Sequence, residues 1–184
     1  MLLLLVAVGT TLAYIFTETE PVENTFNPSK VSCAVVENGY EPVSGEIQNI
    51  SDIKSNVQIK NTGDTDAYIR VAVVVNWASA DGSCVWAQKP ADNDYEITYN
   101  LNGDLFDGGD GFYYYSKTIS PEELTTILIN EAKQLKSAPQ TPDGIQYYLS
   151  IEIVASAIQS TPETVVENHW GVTVENGVIT PNAN

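Results

Sequence analysis

The run 67–77 constrains the fold most, because five of its eleven residues are Ile or Val and two are aromatic. β-Branched side chains lose rotamer freedom against the preceding turn of a helix, whereas they pack well on a pleated sheet. The run therefore predicts a long β-strand rather than a helix.

Further segments repeat this strand pattern, either by alternating apolar and polar residues or by collecting aromatic ones. The turn-forming sequence 61–66 separates 56–60 from the long run, so we expect these two strands to form a hairpin. Short strands divided by turns at such spacing indicate an all-β sandwich or barrel. The remaining predicted strands are 31–36, 95–100, 111–116 and 147–155.

One or two short helices are also predicted. Ser120-Pro121-Glu122-Glu123 has a Ser cap, Pro in the first helical position and Glu three residues after the cap, which favours a helix over 121–136. The threonines and isoleucines within 125–129 suit a strand as well, so both interpretations stay open here. Thr161-Pro162-Glu163 begins a second short helix that ends near Gly171.

The net charge is -16, with eight Lys and Arg against 24 Asp and Glu. Such a field repels nucleic acid and anionic lipid headgroups, so we expect no nucleic-acid partner. An acidic surface of this kind suits a well-solvated exported protein.

The first residues have the length of a signal-peptide core, and the small residues before Tyr14 suit a signal peptidase. We therefore expect residues 1–13 to be a signal peptide and the protein to be secreted without a stable membrane anchor, which would take about 20 apolar residues. Basic residues normally precede such a core, yet the first positive side chain is Lys30. A buried N-terminal segment of a cytosolic protein is the alternative interpretation.

The two cysteines, Cys33 and Cys84, are compatible with an oxidising compartment and could form one disulfide. An unpaired buried thiol is the alternative for Cys33, which lies in an apolar run. Their spacing is not that of a metal site, because there is no Cys-x-x-Cys and a single histidine, His169.

Catalytic motifs are missing from the sequence. His169 stands without a second histidine one helical turn away, and no Gly-x-Ser-x-Gly elbow accompanies it. The sequence therefore predicts no enzyme, no catalytic residue and no cofactor.

Two binding sites remain secondary hypotheses. Asp64, Asp66, Asp107 and Asp110 lie in turns where carboxylates could coordinate Ca²⁺, although Asp is common in turns for its own backbone hydrogen bonding. Alternate rings of the Tyr-rich segment 112–115 could stack on a glycan, while the others must point into the core.

Three segments resemble the TasA/camelysin family of bacterial matrix proteins, which are exported with a SipW-type signal peptide. Residues 9–26, with Gly9-Thr10-Thr11-Leu12-Ala13-Tyr14 at their start, are similar to that family's leader and mature start. Residues 57–71 resemble its second-strand hairpin, and residues 151–159, with Trp170-Gly171-Val172 after them, resemble its late strand.

The resemblance implies a jelly-roll sandwich at residues 27–184, located in the extracellular matrix or at the cell surface. It also favours a strand at 124–130. Some members polymerise into biofilm fibres when an N-terminal segment adds as a strand to the next subunit. Here that donor is residues 14–26, with Tyr14, Phe16, Val22 and Phe26 as anchors on one face of an extended strand.

The expected partners are therefore further copies of the chain, joined head to tail, or other matrix proteins, besides signal peptidase during export. A head-to-tail contact does not close and yields filaments. The alternatives are a donor segment that folds back on its own sheet, a monomeric extracellular module that binds glycan or Ca²⁺, and a camelysin-like secreted protease. No zinc motif is available to carry the protease activity over.

Overall fold

The computed structural model describes residues 29–37, 54–79, 81–138 and 144–180. These residues form ten strands and one short helix, α1, at Glu163–Trp170. The strands are β1 Cys33–Val36, β2 Lys54–Asn61, β3 Ala67–Ser79, β4 Tyr95–Tyr99, β5 Leu105–Asp107, β6 Tyr113–Ile119, β7 Ile129–Gln134, β8 Tyr147–Gln159, β9 Thr173–Glu175 and β10 Val178–Thr180.

Eight strands form two antiparallel four-stranded sheets. The first sheet has the order β1-β2-β7-β4 and the second has the order β5-β6-β3-β8. Apolar side chains from both sheets meet in one core, in which Val57 and Ile129 of the first sheet and Ile69 of the second are fully buried. The predicted all-β sandwich is confirmed.

The chain changes sheet at most of its connections. Among the described strands, only β1–β2 and β5–β6 are consecutive and paired within one of these sheets. Frequent crossing between two sheets is what a jelly-roll winding requires, and these two pairs include the edge strands β1 and β5. The jelly roll as such stays a prediction.

A C-terminal layer covers part of the outer face of the second sheet. Tyr68 and Tyr114 point outward from β3 and β6 and pack against Val166 of α1, Val174 of β9 and Ile179 of β10. This second, smaller core exists because β3 is apolar on both faces at this end. The predicted short helix near 161–171 is confirmed as α1, and Gly171 ends it with φ 66°.

The predicted hairpin between β2 and β3 is wrong. β2 pairs with β1 and β7, whereas β3 pairs with β6 and β8, so the turn carries the chain from one sheet to the other. The predicted turn at 61–66 is present, but a turn sequence does not specify which strands pair with the two strands that flank it.

The helix that the capping signal favours at 121–136 does not form. Residues 121 and 122 make a turn, Leu124 bridges Lys60, and β7 follows at Ile129–Gln134. The strand alternative is confirmed, because β7 pairs on both sides, with β2 and β4, and buries Ile129 and Ala132 completely.

Candidate functional site

The predicted donor residues Tyr14, Phe16, Val22 and Phe26 lie outside the described residues. The chain that follows them is held firmly from Lys30 onward. The Lys30 amide donates to Asp64 Oδ1 over 2.6 Å, and the Asp64 amide donates to the Lys30 carbonyl over 3.0 Å. The approach to β1 is therefore fixed beside the corner at 61–66.

A buried amide side chain organises that corner. Asn61 is fully buried, and its Nδ2 donates to the carbonyls of Thr65 and Ile119 over 2.9 and 2.8 Å. Its Oδ1 accepts from the Gly63 amide over 2.9 Å. Asn61 thus ties the turn to the end of β6 in the second sheet.

Gly63 lets the approach to β1 lie directly on the corner. A Cβ at this position would collide with the Lys30 carbonyl oxygen and would lie 3.1 Å from the Ser32 amide nitrogen. The Thr62 amide donates to the Ser32 carbonyl over 3.0 Å, and the two hydroxyls of these residues lie 2.9 Å apart. The corner accordingly has room only for glycine at residue 63.

β3 and β8 are the two longest strands. Farther along β3, a stretch of the strand has a pairing partner among the described residues on one side only. β8 pairs with β3 over its whole length, but β6 pairs only up to Val71, opposite Tyr113. On the β6 side, pairing resumes at Trp77, whose carbonyl accepts from the Trp86 amide over 2.8 Å. Within the described residues, no strand pairs with 72–76 on that side, and we call this stretch the β3 gap.

Burial also falls within the β3 gap. Ile69, Val71 and Trp77 point into the core and are at most 2% exposed. Val73 and Val75 point the same way, because side chains alternate along a strand, yet both are only half-buried. Among the residues that the structure describes, the gap therefore combines a stretch of backbone without a strand partner on the β6 side with a half-buried part of the apolar core.

The two rims of the β3 gap are well ordered by local contacts. At one rim, Tyr113 stacks on Tyr99 of β4 with ring centroids 4.6 Å apart, and burial raises the pKa of Tyr99 well above its ordinary value. At the other rim, the Ser79 amide donates to the Cys84 carbonyl, and the neighbouring Val85 is 56% exposed.

The Asp81 side chain stabilises this second rim. Its carboxylate accepts hydrogen bonds from the hydroxyls of Ser79 and Ser83, which lower its pKa to about 2. The Ser79 hydroxyl oxygen in turn accepts from the Cys84 amide over 3.0 Å. The loop is thus held against β3 by its own side chains.

Cys33 and Cys84 are free thiols in this structure. Cys33 pairs with Asn61 beside the corner, whereas Cys84 lies beside Ser79 at the far end of β3. Twelve residues of strand separate these ends, roughly 40 Å at about 3.3 Å per residue. Because a disulfide requires Cα atoms within about 7 Å, this fold does not join the two thiols.

The carboxylates of Asp64, Asp107 and Asp110 accept hydrogen bonds from backbone amides. Asp107 Oδ1 accepts from the Gly109 amide, and Asp110 accepts from the Phe112 amide and the Tyr114 hydroxyl. Asp64 accepts from Lys30 as described, and the Asp66 carbonyl accepts from the Ser160 amide. In the part of the chain that the structure describes, no three His, Cys, Asp or Glu side chains are grouped to hold a metal ion.

The Tyr-rich strand offers no exposed ring. Tyr113 and Tyr115 pack on the core between the sheets, and Tyr114 is buried under the C-terminal layer. Phe112 is half-buried, with the guanidinium carbon of Arg70 4.1 Å from its ring centroid. The residues that suggested a glycan platform are thus used in packing.

Arg70 has a position that the sequence analysis missed. It is the single arginine of the chain, and its guanidinium lies between the rings of Phe112 and Trp170, 4.8 Å from the latter. Burial alone would raise the pKa of the neighbouring Asp110, but hydrogen bonds from Tyr114 and Phe112, with the positive charge of Arg70, lower it. Arg70 thereby joins the C-terminal layer to β3.

His169 is exposed on α1, and its Nδ1 lies 2.9 Å from the Val165 carbonyl oxygen. No helix among the described residues is long and apolar enough to cross a membrane.

No family model, curated protein or solved structure matches the chain. The family resemblance stays a prediction.

Proposed function

We propose that this chain is a secreted structural protein of the extracellular matrix that polymerises into fibres by strand addition. Residues 14–26 of one copy are the donated strand, and a sheet of the next copy receives it. The proposal combines the sequence resemblance with one feature of the fold, the β3 gap.

The β3 gap supports this function because it has what a strand acceptor needs. An unpaired stretch of strand is a template for the backbone of another chain, whose N–H and C=O groups satisfy it. The half-buried Val73 and Val75 add an apolar surface that an incoming side chain would cover. Burying one such aliphatic or aromatic anchor contributes about 1.5–3 kcal/mol.

The test compares two chains by negative-stain electron microscopy, one that begins at Tyr14 and one that begins at Asn27. We expect filaments from the first chain and single particles from the second. Single particles from both would reject strand donation and favour the monomeric binding module.

A matched pair of variants tests whether filaments require the anchor side chains or only the presence of the N-terminal segment. Phe16→Asp with Phe26→Asp places two charges on the proposed anchor face and should abolish filaments. Thr17→Asp with Thr25→Asp adds the same charge on the opposite face and should leave filaments in place. Equal loss in both variants would contradict the assigned face.

A further inference from the structure

We propose that Asn102 is a site of spontaneous deamidation, at which the peptide nitrogen of Gly103 displaces the side-chain amide. This inference is independent of fibre assembly and rests on the conformation of the loop before β5. Asparagine is a thermolabile residue, and a following glycine leaves its peptide nitrogen unhindered because it has no side chain.

Residues 101–103 form a short span between two firmly held residues. The Asn100 amide donates to a backbone carbonyl over 2.8 Å before the span, and the Asp104 carbonyl accepts from a backbone amide over 2.7 Å after it. Within the described part of the chain, neither the Asn102 side chain nor the Gly103 amide has a hydrogen-bond partner. The backbone at Asn102 can therefore rotate without breaking a hydrogen bond.

The span also has room for the five-membered ring through which deamidation proceeds. Asn102 is exposed, and Gly103 has φ 93° with no atom within 4 Å of the place of its missing Cβ. At Gly108, by contrast, the Tyr114 ring occupies that place. No neighbouring group thus hinders the approach of the Gly103 nitrogen to the Asn102 side chain.

The reaction needs water and no other reactant. The Gly103 nitrogen loses its proton to solvent and bonds to Cγ of Asn102, and the Cγ–Nδ2 bond breaks as ammonia leaves with a proton from water. Water then opens the succinimide ring at either carbonyl, which gives aspartate or isoaspartate. The net change converts a side-chain amide into a carboxylate and adds a negative charge to a chain that already carries -16.

The second Asn-Gly pair among the described residues provides an internal comparison. Asn176 is also exposed, but Asn176 and Gly177 have φ 53° and 76° in the turn between β9 and β10. The pairing of Glu175 with Val178 closes this type I′ turn. A left-handed backbone directs the Gly177 nitrogen away from the Asn176 side chain, so the hairpin must open before the ring can form. Asn102 does not have such a positive φ.

Aspartate before glycine can form the same ring, but the three Asp-Gly pairs that the structure describes in full are held in place. The carboxylates of Asp81, Asp107 and Asp110 each accept a hydrogen bond from a backbone amide. The glycine amides after Asp81 and Asp107 also donate to backbone carbonyls, over 2.8 and 2.9 Å. Asn102 differs from these residues because its side chain has no such hydrogen bond to a described residue.

Peptide mapping of the whole chain by mass spectrometry tests the proposal. The purified chain is kept warm in a mildly alkaline buffer, and the acid form of each Asn-Gly peptide is measured over time. We expect the acid to form at Asn102 about tenfold or more faster than at Asn176, because opening of the hairpin limits the second site. Asn38 also precedes a glycine but lies outside the described residues, so its peptide is measured separately.

The same measurement in concentrated urea separates the effect of structure from that of sequence. Unfolding removes the β9–β10 turn, so the rates at Asn102 and Asn176 should converge. Equal rates in the folded chain, or a faster rate at Asn176, would overturn the proposal. A difference that persists unchanged in urea would also overturn it, because the neighbours in sequence would then be the cause.

Asn102→Gln is the chemical control, since its longer side chain would have to close a larger ring. Circular dichroism verifies that this variant is folded. The peptide that contains residue 102 should then stay in the amide form over the same period. Undiminished acid in that peptide would show that another residue reacts and would overturn the assignment to Asn102.

Discussion

Single residues fix the corner between β2 and β3, and Asn61 contributes most. Its side chain uses both amide protons and its oxygen, and all three partners belong to the backbone. An exposed asparagine in a turn can still accept from the amide two residues on, but it has no counterpart of the bond to Ile119. Because the three hydrogen bonds connect residues of β2, the turn and β6, the side chain fastens two sheets as well as one turn.

Asn61→Ala should lower the free energy of unfolding by about 2–4 kcal/mol, because it leaves buried backbone groups without partners, at about 1–3 kcal/mol each. Urea denaturation followed by tryptophan fluorescence measures this change. Asn100→Ala is the matched control, since Asn100 is half-buried and its Nδ2 donates once, to the Ile127 carbonyl. A loss at Asn61 no larger than that at Asn100 would contradict the assigned role.

The sequence predicts the turn at 61–66 but not the burial of Asn61. Asn and Gly in this order are common in exposed turns, and local chemistry is the same in both settings. What distinguishes this turn is the contact with Ile119, which is 58 residues away in the chain. Such a contact depends on the packing of the whole domain.

Among the elements, β7 follows a sequence whose local signal favours a helix, yet strand pairing with other parts of the chain determines its structure. The capping sequence at 120–123 gives a turn instead, in which Glu122 has φ 67°. A helix at this place would expose one face of the segment to water. As a strand, β7 has partners on both sides, so pairing and burial outweigh a cap that contributes about 1 kcal/mol.

The β9–β10 hairpin was missed although its signal is present. Asn176 and Gly177 both have positive φ, 53° and 76°, as a two-residue hairpin turn of type I′ requires. The flanking strands have only three residues each, too short to show alternation. The β3 gap is equally hidden, since 72–76 is as apolar as the rest of its strand and the start of β6 decides where pairing stops.

Gly171→Ala tests how α1 ends. Gly171 adopts φ 66°, and no atom lies within 4 Å of the place of its missing Cβ. The cost is therefore one of backbone conformation, about 1 kcal/mol, measured by urea denaturation.

Gly171→Asn should cost less than the alanine change, because asparagine tolerates the left-handed region. Equal costs for both variants would show that the left-handed conformation does not limit stability here. Gly63→Ala provides the contrasting case, since it has a steric collision with the Lys30 carbonyl.

At the scale of the whole molecule, charge opposes the proposed assembly. Each chain carries -16, so every added copy brings like charges together. Salt screens this repulsion, because the Debye length shrinks from about 30 Å at 0.01 M to about 3 Å at 1 M.

Filament growth should therefore be faster at 0.5 M NaCl than at 0.02 M, by about tenfold or more, as followed by light scattering. The chain that begins at Asn27 is the control and should scatter little at either concentration. Slower growth at high salt would indicate that ionic attraction between copies drives assembly. It would contradict an apolar, backbone-based contact.

The attachment of Lys30 to the corner determines how a fibre would carry tension. A pull on the donor segment enters the domain at Lys30 and passes along β1, whose register with β2 runs from Cys33 opposite Asn61 to Val36 opposite Gln58. A load directed along β1 would shear these hydrogen bonds together instead of opening them one after another. Each domain would then act as a stiff link that resists extension until the whole β1–β2 ladder yields.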